Sequence, residues 1–309
     1  MADLAVVIVT WNVRDLALQA VRSLLADVEA HGPSTQVIVV DCASSDGTAQ
    51  AIAQAFPQVQ VIVSHDNLGF GRGNNLGICA AGVCDETRAD KPKAVYLLNP
   101  DTITQPGATR ALYDALMRDE TVGLVGARLA YGDGSFQHSA FGFPGLRQLW
   151  VEFFPTPGRL IEGSFNGRYP RRLYQQPQPF PVDCVLGATM MLRREVIEQT
   201  GMFDEQFFMY CEEIDWAWRI RKAGWQVMCA PSAHVTHLGG QSTGQVRPQS
   251  VINLWTSRLQ LFRKHYPVWK FALACRMITA GMQRKLREPT LTPEVASAYE
   301  TIARMAQRP

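Results

Sequence analysis

The sequence predicts an α/β protein with a mostly parallel sheet covered by helices on both faces, followed by a C-terminal helical extension. Short continuous apolar runs, typical of strands buried on both faces, alternate with segments of helical apolar spacing as far as residue 118. The connections have the length of βαβ crossovers, which favours parallel strands. From residue 250 to about residue 286 the spacing is helical, and a terminal helix is predicted at 291–304.

Strands and helices alternate through the first half of the chain. The predicted strands span residues 4–10, 37–40, 59–63 and 94–98. The predicted helices span residues 15–30, 46–56, 74–83 and 107–118. Because ligands of such sheets bind outside the carboxyl ends of the strands, Thr10, Asp41, Asp66 and Asp101 are expected on one rim.

The second half of the sequence is less regular. Residues 131–181 are rich in glycine, proline and aromatic residues without a sustained period, which predicts a long irregular insertion of the kind that forms binding loops or lids. After it, 183–192 and 225–229 are typical of strands, and 194–200 and 212–223 of helices.

The composition excludes several classes of protein. Of the 309 residues, 47% are hydrophobic and 19% are charged, which excludes disordered, collagen-like, coiled-coil and low-complexity chains. No apolar stretch predicts a transmembrane helix, and no basic region precedes the first apolar run, so a secretory signal is not expected. The 7 cysteines have no paired spacing, which favours reduced thiols in a cytoplasmic protein.

The charges are distributed unevenly. Residues 216–287 contain 12 basic and no acidic side chains, although the whole chain has 30 basic and 28 acidic residues. This segment favours an anionic partner, either a phosphorylated ligand or a membrane surface, and a solvated basic face is the alternative. The sequence has no recognisable nucleic-acid-binding motif, so no nucleic acid partner is expected.

Polar residues at two strand ends are candidates for nucleotide and metal binding. Asp41 follows a predicted strand directly and can accept hydrogen bonds from a base or ribose, whereas Asp46 is better explained as a helix cap. Asn99 and Asp101 follow the fourth strand. One carboxylate suffices for a divalent cation whose shell is completed by phosphate oxygens and water, and a simple turn is the alternative role for Asp101.

A glycine-rich segment occupies residues 67–77. Glycine-rich turns that enter a helix expose backbone N–H groups suited to phosphate, and Arg72 would add a charged contact. The signal is weak, because the segment has neither a GK[ST] pair nor the dinucleotide-binding spacing of glycines.

Three acids at a helix start are candidates for general-base chemistry. Glu212, Glu213 and Asp215 follow the aromatic segment 207–210, and repulsion with burial would raise the pKa of one carboxyl. A favourable interaction with the helix dipole is the alternative. His237, in a His-x-x-His segment followed by two glycines, is a candidate metal or phosphate ligand.

Together these segments resemble glycosyltransferase family 2, which has the GT-A (Rossmann-like) fold, and especially its rhamnosyltransferase-like bacterial branch. The resemblance covers roughly residues 4–242, and its most specific block runs from Gly187 to Gly224. The matching segments are residues 6–12, 39–48, 67–77, 96–101, 187–224 and 237–242.

The resemblance implies transfer of a sugar from a nucleotide diphosphate sugar to an acceptor hydroxyl. Glu213 would be the catalytic base, which fits inversion at the anomeric carbon, and Asp101 and His237 would hold Mg²⁺ or Mn²⁺. Both Asn99 and Glu213 stand where many relatives have aspartate. The residues that the resemblance or the strand ends assign to substrate binding are Thr10, Asn12, Asp41, Asn67, Arg72, Asn74, Asn99, Gly187, Ala188, Glu212, Asp215 and Arg219.

The resemblance also predicts partners and domains. The donor would be dTDP-rhamnose or a UDP-sugar, and the acceptor a glycan or lipid-linked molecule of cell-envelope polysaccharide synthesis. A GT-A domain is expected at 1–245, with a nucleotide-sugar half at 1–110 and an acceptor half at 111–245, and the helical extension at 246–309. The expected location is the cytoplasm, peripheral at the inner face of the plasma membrane if the extension contacts lipid instead of only docking on the catalytic domain.

Two other functions stay open at this point. The departures at Asn99 and Glu213 would suit a nucleotide-sugar-binding module that has lost catalysis. A nucleotidyltransferase is disfavoured, because it should have a glycine-rich loop with a basic residue after the first strand, where this chain has Thr10-Trp11-Asn12.

Overall fold

The computed structural model describes residues 2–239 and 247–307 and contains one large sheet with helices on both faces. The strands are β1 (Leu4–Thr10), β2 (Thr35–Cys42), β3 (Gln60–Ser64), β4 (Ala94–Leu98), β5 (Thr102–Thr104), β6 (Val122–Ala130), β7 (Phe136–Gln137), β8 (Ala140–Phe141), β9 (Phe180–Pro181), β10 (Cys184–Val185), β11 (Thr189–Arg193) and β12 (Gln226–His237). The helices are α1 (Arg14–His31), α2 (Thr48–Ala55), α3 (Gly69–Ala80), α4 (Ala108–Met117), α5 (Leu146–Phe153), α6 (Gly158–Ile161), α7 (Arg194–Thr200), α8 (Glu212–Lys222), α9 (Arg247–His265), α10 (Val268–Lys285) and α11 (Pro293–Gln307). The end of the 237–242 motif and the expected domain boundary after residue 245 lie outside the described residues.

The sheet is parallel on one side and mixed on the other. β3, β2, β1 and β4 are neighbours and run parallel. β11 lies antiparallel between β4 and β6, β12 runs parallel to β6, and β5 pairs antiparallel with β12. The predicted α/β architecture is confirmed. The prediction missed β6, whose apolar run is interrupted by Gly123 and Gly126, and glycine weakens a strand signal.

Both faces of the central strands are buried. Val7 of β1 packs in the same apolar cluster as Ile78 of α3, and Val6 packs on the opposite face in the cluster that contains Leu24 of α1. This explains why the central strands are continuous apolar runs instead of alternating ones.

The glycine-rich segment is helical from Gly69, so the prediction of a glycine-rich turn before a helix at 74–83 is wrong in its bounds. α3 begins at Gly69, and its glycines bring the helix close to the sheet. A β-carbon on Gly73 would lie 2.8 Å from Val9 Cγ1, and one on Gly77 would lie 2.3 Å from Val7 Cγ1. Gly73 and Gly77 therefore serve close helix–strand packing.

The structure also corrects the expectation that all the cysteines are reduced. Cys79, in the last turn of α3, is joined to Cys84 by a disulfide. Gly82, at φ +89°, reverses the chain between them. The other five cysteines are buried free thiols.

The insertion at 131–181 has more regular structure than its sequence predicts. It contains β7, β8, α5 and α6, and short 3₁₀ helices at Ser164–Asn166 and Arg171–Gln175. α5 buries Leu149 and Phe153 in an apolar cluster shared with the C-terminal helices. The insertion is thus partly a packing element for the extension.

The C-terminal extension is three helices that pack with α5. The long predicted helix is divided at Pro267, because proline starts a new helix more readily than it continues one. Trp255, Leu259 and Phe262 of α9 are buried, and the Trp255 ring stacks on Phe153 with centroids 4.9 Å apart. These apolar side chains of α9 are therefore part of the core of the extension. None of the described helices combines the length and the apolar character needed to cross a bilayer.

Candidate active site

A cavity of about 380 Å³ lies at the carboxyl edge of β1 and β4. Its walls are the ends of these strands, the turn before β11, the segment that leads into α8, and the first turns of α9. Its lining residues are Val9, Thr10, Trp11, Cys42, Asn67, Gly69, Phe70, Asn99, Pro100, Asp101, Leu186, Gly187, Ala188, Phe208, Met209, Tyr210, Glu212, Glu213, His237, Gln249, Ser250 and Asn253. A concave site of this size, largely apolar with a few convergent polar groups, suits a small-molecule substrate.

The ends of β1 and β2 meet through a pair of buried polar side chains. Thr10 and Asp41 are register partners in the parallel pair β1–β2. The Thr10 hydroxyl donates to Asp41 Oδ1 at 2.9 Å, and the backbone N–H of Ser44 donates to Asp41 Oδ2 at 3.0 Å. Thr10 lines the cavity, whereas Asp41 lies directly behind it and is 1% exposed.

The end of β4 carries a second polar group. Antiparallel pairing places His237 of β12 opposite Thr102 of β5, which brings His237 Nε2 to 3.4 Å from Asp101 Oδ1. Asp101 and His237 are both buried, and His237 Nδ1 and the buried Asn99 Oδ1 have no hydrogen-bond partner among the described residues. Asp101 and His237 therefore lie side by side in the cavity wall, which Asn99 also lines.

This donor set fits a divalent cation that is shared with a substrate. Mg²⁺ and Mn²⁺ need only one or two protein ligands when phosphate oxygens and water complete the shell. Within the described part of the chain, no group of three His, Cys, Asp or Glu side chains converges on one point. Asp101 and His237 would thus supply only part of a cation's shell, and the unpartnered side-chain oxygen of Asn99 in the same wall is a neutral group of a suitable kind.

Glu212 and Glu213 form a buried carboxyl pair at the start of α8. Glu212 is 4% exposed, and Oε2 of each glutamate is shielded from solvent without a hydrogen-bond partner among the described residues. Burial raises the pKa of Glu213 to about 7. Burial, together with the neighbouring charge of Glu213, raises the pKa of Glu212 well above its ordinary range. The pair therefore holds a carboxyl group that gains and loses its proton near neutral pH.

Gly187 lies against the Glu213 side chain. A β-carbon built on Gly187 would be 3.7 Å from Cβ and Cγ of Glu213. Gly187 and Ala188 belong to the turn before β11, and the backbone N–H of Asn99 donates to the Ala188 carbonyl at 3.0 Å. The turn therefore joins the Glu213 wall to the end of β4.

Asp215 and Arg219 occupy a different place from the one expected, and the expectation that they orient a substrate is corrected. Arg219 Nε donates to Asp215 Oδ2 at 2.9 Å, and Lys264 Nζ and His265 Nε2 lie 2.8 and 2.7 Å from Asp215 Oδ1. Asp215 is fully buried. Burial would raise its pKa, but the hydrogen bonds from His265 and Lys264 and the charge of Arg219 lower the pKa to about 2. Its partners make it a permanent anion that ties α8 to α9.

Three further predicted residues lie outside the cavity wall. Arg72 is half exposed, with Nε 3.5 Å from Glu205 Oε2. Asn74 is buried and donates to the Phe70 carbonyl at 2.9 Å, while Asn12 accepts from the backbone N–H of Ser45 at 2.8 Å. Arg72 and Asn74 do not line the cavity, because the helical conformation of the glycine-rich segment directs them elsewhere. Asn67 remains in the wall and caps the start of α3 by accepting from the Gly69 N–H at 3.0 Å.

The sequence analysis missed the contribution of α9. Gln249, Ser250 and Asn253 line the cavity, and Gln249 Nε2 donates to Asn253 Oδ1 at 2.9 Å. Their spacing of one, three and four residues puts them on one helical face, which was the available signal. A polar face on an otherwise aromatic and basic helix did not indicate which element it would meet.

Strained backbone surrounds the cavity. Among the described residues, the non-glycine residues with positive φ are Asn12 (51°), Ala43 (59°), Tyr210 (69°) and Cys211 (65°). They follow β1, follow β2 and precede α8, respectively. Each costs about 1–3 kcal/mol, and such costs persist where the surrounding structure imposes them, commonly at functional sites.

The fold is that of the GT-A class of glycosyltransferases. The structure is similar to a crystal structure of GalNAc-T7 with UDP, GalNAc and Mn²⁺, with a TM-score of 0.54 and 15% sequence identity over 77% of this chain and 43% of that chain. At this identity the similarity concerns the fold alone.

Sequence comparisons identify the family. A family model described as "Glycosyltransferase like family 2" matches residues 2–266. An N-acetylglucosaminyl-diphospho-decaprenol L-rhamnosyltransferase of Mycobacterium tuberculosis is 34% identical over 219 residues, 68% of each chain. The rhamnosyltransferase WbbL of Escherichia coli is 26% identical over 70% of this chain and 78% of that protein, and the hexosyltransferase Agl10 of Haloferax volcanii is 27% identical over 71% and 62%. The chain belongs to glycosyltransferase family 2, and the resemblance to its rhamnosyltransferase-like branch is confirmed.

Proposed function

We propose that this enzyme transfers rhamnose from dTDP-rhamnose to a hydroxyl of a lipid-linked glycan acceptor, with inversion at the anomeric carbon. A UDP-sugar is the alternative donor. The proposal draws its substrates from the relatives, one of which is named for a rhamnosyl transfer to a diphospho-decaprenol-linked sugar. One observation carries its chemistry: a carboxyl with a pKa near neutrality shares a cavity with Asp101 and His237.

Glu213 is the proposed base. Its burial keeps the carboxyl only weakly acidic, so near neutral pH it can accept the acceptor's hydroxyl proton as the oxygen attacks the anomeric carbon. Glu212 stays protonated under the same conditions, because burial and the adjacent charge both oppose its ionisation. The pair thus presents one usable base without two neighbouring charges.

Asp101, His237 and Asn99 are the proposed ligands of a divalent cation, Mg²⁺ or Mn²⁺. When bound, such an ion supplies positive charge that stabilises the departing nucleoside diphosphate. Thr10 and Asn67 line the nucleotide side of the cavity in this proposal, with Asp41 orienting Thr10 from behind. The polar face of α9 lies on the acceptor side.

The direct test is transfer by purified protein with a radiolabelled donor. dTDP-rhamnose and UDP-sugars are compared, with and without Mn²⁺ or Mg²⁺, on an N-acetylglucosaminyl-diphospho-polyprenol acceptor. NMR of the product gives the anomeric configuration, which is expected to be opposite to that of the donor.

Glu213→Gln is expected to lower kcat by about 10²–10⁴-fold while donor binding is retained, because amide cannot accept the proton. Glu195→Gln, which removes an exposed carboxylate on α7, is the matched control and should keep wild-type turnover. Near-wild-type kcat in Glu213→Gln would remove Glu213 as the base.

The lipid-linked acceptor also places the proposed reaction at the inner face of the plasma membrane, with the enzyme cytoplasmic and peripheral. An acceptor whose lipid stays in the bilayer requires the cavity to work close to the membrane surface.

A further inference from the structure

Three large apolar side chains are exposed at the start of α10. Val268 is 84% exposed, Trp269 66% and Leu273 41%. We call these three residues the α10 tip. It follows directly on the turn at Pro267 that separates α9 from α10.

The apolar exposure is confined to this end of the helix. Trp269 and Leu273 are four residues apart and therefore share one helical face. The opposite face of α10 is buried in the extension through Ala274, Cys275 and Ile278. The packing face of α10 is thus already covered, so packing in the core does not explain the exposed apolar side chains of the tip.

One arginine flanks the tip. Arg276 lies seven residues after Trp269, two turns along the same face, whereas Arg263 contacts Phe271 and therefore lies on the opposite side of α10. Arg276 is exposed and is not in an ion pair with any described residue. Residues 247–285, which span α9 and α10, contain no acidic side chain. The charge of these two helices therefore favours an anionic partner for the surface.

The charge pattern distinguishes among occupants. A second copy of the chain would bring Arg276 towards Arg276 of the other copy, which is unfavourable. A bilayer with anionic headgroups offers an apolar interior for the tip and negative charge at the level of Arg276. Tryptophan is favoured at such an interface, because its ring is apolar and its N–H is polar.

We propose that the α10 tip inserts into an anionic lipid surface and that Arg276 holds it there. This surface is the membrane contact of the enzyme. The identity of the lipid-linked acceptor rests on the proposed function, whereas lipid binding by the tip does not depend on it.

The test is sedimentation of the full-length protein with vesicles, which needs no catalysis. Wild type is expected to bind vesicles containing phosphatidylglycerol, to bind pure phosphatidylcholine weakly, and to be released by salt. The double variant Trp269→Ser/Leu273→Ser should bind at least about tenfold more weakly. Arg276→Gln should bind about fivefold more weakly to anionic vesicles only.

Two control variants remove equivalent groups elsewhere. Val63→Ser removes a 59% exposed apolar side chain on β3, and Arg118→Gln removes an exposed charge after α4. Both should bind as wild type does. Transfer to a water-soluble acceptor should be unchanged in the tip variants, because the tip is outside the cavity wall.

Three results would overturn the proposal. The first is absence of wild-type binding to anionic vesicles, whatever the transfer assay gives. The second is wild-type binding by Trp269→Ser/Leu273→Ser. The third is a wild-type dimer in gel filtration that the same variant dissociates, which would make the tip a self-association face. If transfer fails while vesicle binding behaves as expected, only the proposed function is wrong.

Discussion

At the scale of single residues, the surroundings of Glu213 determine its charge. The residue lies at the start of a helix, where the dipole and the backbone N–H groups of Glu213 and Ile214 favour an anion, yet burial has the larger effect and raises its pKa to about 7. Asp215, two residues later, is also buried, but three cationic or hydrogen-bonding partners lower its pKa to about 2. Two carboxyls in one helical turn thus have opposite protonation tendencies.

The raised pKa of Glu213 predicts a stability that falls as pH rises. Between about pH 4.5 and pH 7 the folded state holds a proton that the unfolded state has lost, so the free energy of unfolding decreases through this window. Glu213→Gln removes this loss. At pH 8 it should be more stable than wild type by on the order of 2 kcal/mol, with little difference at pH 4.5.

Urea unfolding of both proteins at the two pH values measures the effect. Glu195→Gln is the control and should follow wild type throughout. A difference between Glu213→Gln and wild type that is the same at both pH values would mean that the carboxyl is not held protonated by the fold.

At the scale of elements, α3 shows how close packing overrides helix propensity. Glycine is a poor helix former, and replacing it by alanine in a helix interior ordinarily stabilises the helix by about 1 kcal/mol. In α3, Gly73 and Gly77 lie against Val9 and Val7 of β1, which leaves no room for a side chain. The helix keeps the glycines because the sheet requires its close approach.

Gly77→Ala is therefore expected to destabilise the protein by about 1–3 kcal/mol despite the gain in propensity, because the new methyl would lie 2.3 Å from Val7 Cγ1. Gly158→Ala in α6 is the control, since nothing lies within 4 Å of its added β-carbon. It should be neutral or slightly stabilising. Thermal unfolding compares them, and a Gly77→Ala protein as stable as wild type would show that α3 can move away from the sheet.

At the scale of the whole molecule, α9 joins the extension to the catalytic sheet. Its first turns line the cavity, and its last turn supplies Lys264 and His265 to Asp215. Between them, the Ser257 hydroxyl donates to the Met209 carbonyl at 2.7 Å, and Leu261 is fully buried against Phe207. The extension therefore shapes the segment that leads to Glu212 and Glu213, as well as packing behind it.

Asp215→Asn should destabilise the protein by about 3–5 kcal/mol, because it leaves Arg219 and Lys264 without their shared buried anion. Asp114→Asn is the matched control: Asp114 also pairs with an arginine four residues away on its helix, but it is half exposed. It should cost about 0.5 kcal/mol or less. Equal effects of the two variants in urea unfolding would contradict the assignment of Asp215 as the link between α8 and α9.

The sequence alone determined the parallel half of the sheet and the residues at its strand ends. Apolar runs and capping patterns are local, so β1 and β4 were predicted with their observed bounds, and Thr10, Asn99 and Asp101 followed from the strand ends. The family resemblance added Glu213 and His237, which no local pattern distinguishes from a helix-terminal acid and an ordinary strand histidine.

Tertiary structure alone decided which of these residues meet. Asp101 and Glu213 are more than a hundred residues apart in sequence, and their shared cavity depends on β11 entering antiparallel beside β4 and on α9 closing the remaining side. The sequence patterns around the glycines of α3 and around Asp215 suit binding of phosphate or substrate as well as they suit structural roles. The position of Val7 beside Gly77 assigns that glycine to packing, and the positions of Lys264 and His265 assign Asp215 to a buried ion network. Local periodicity could not predict either role, because it does not encode contacts with distant residues.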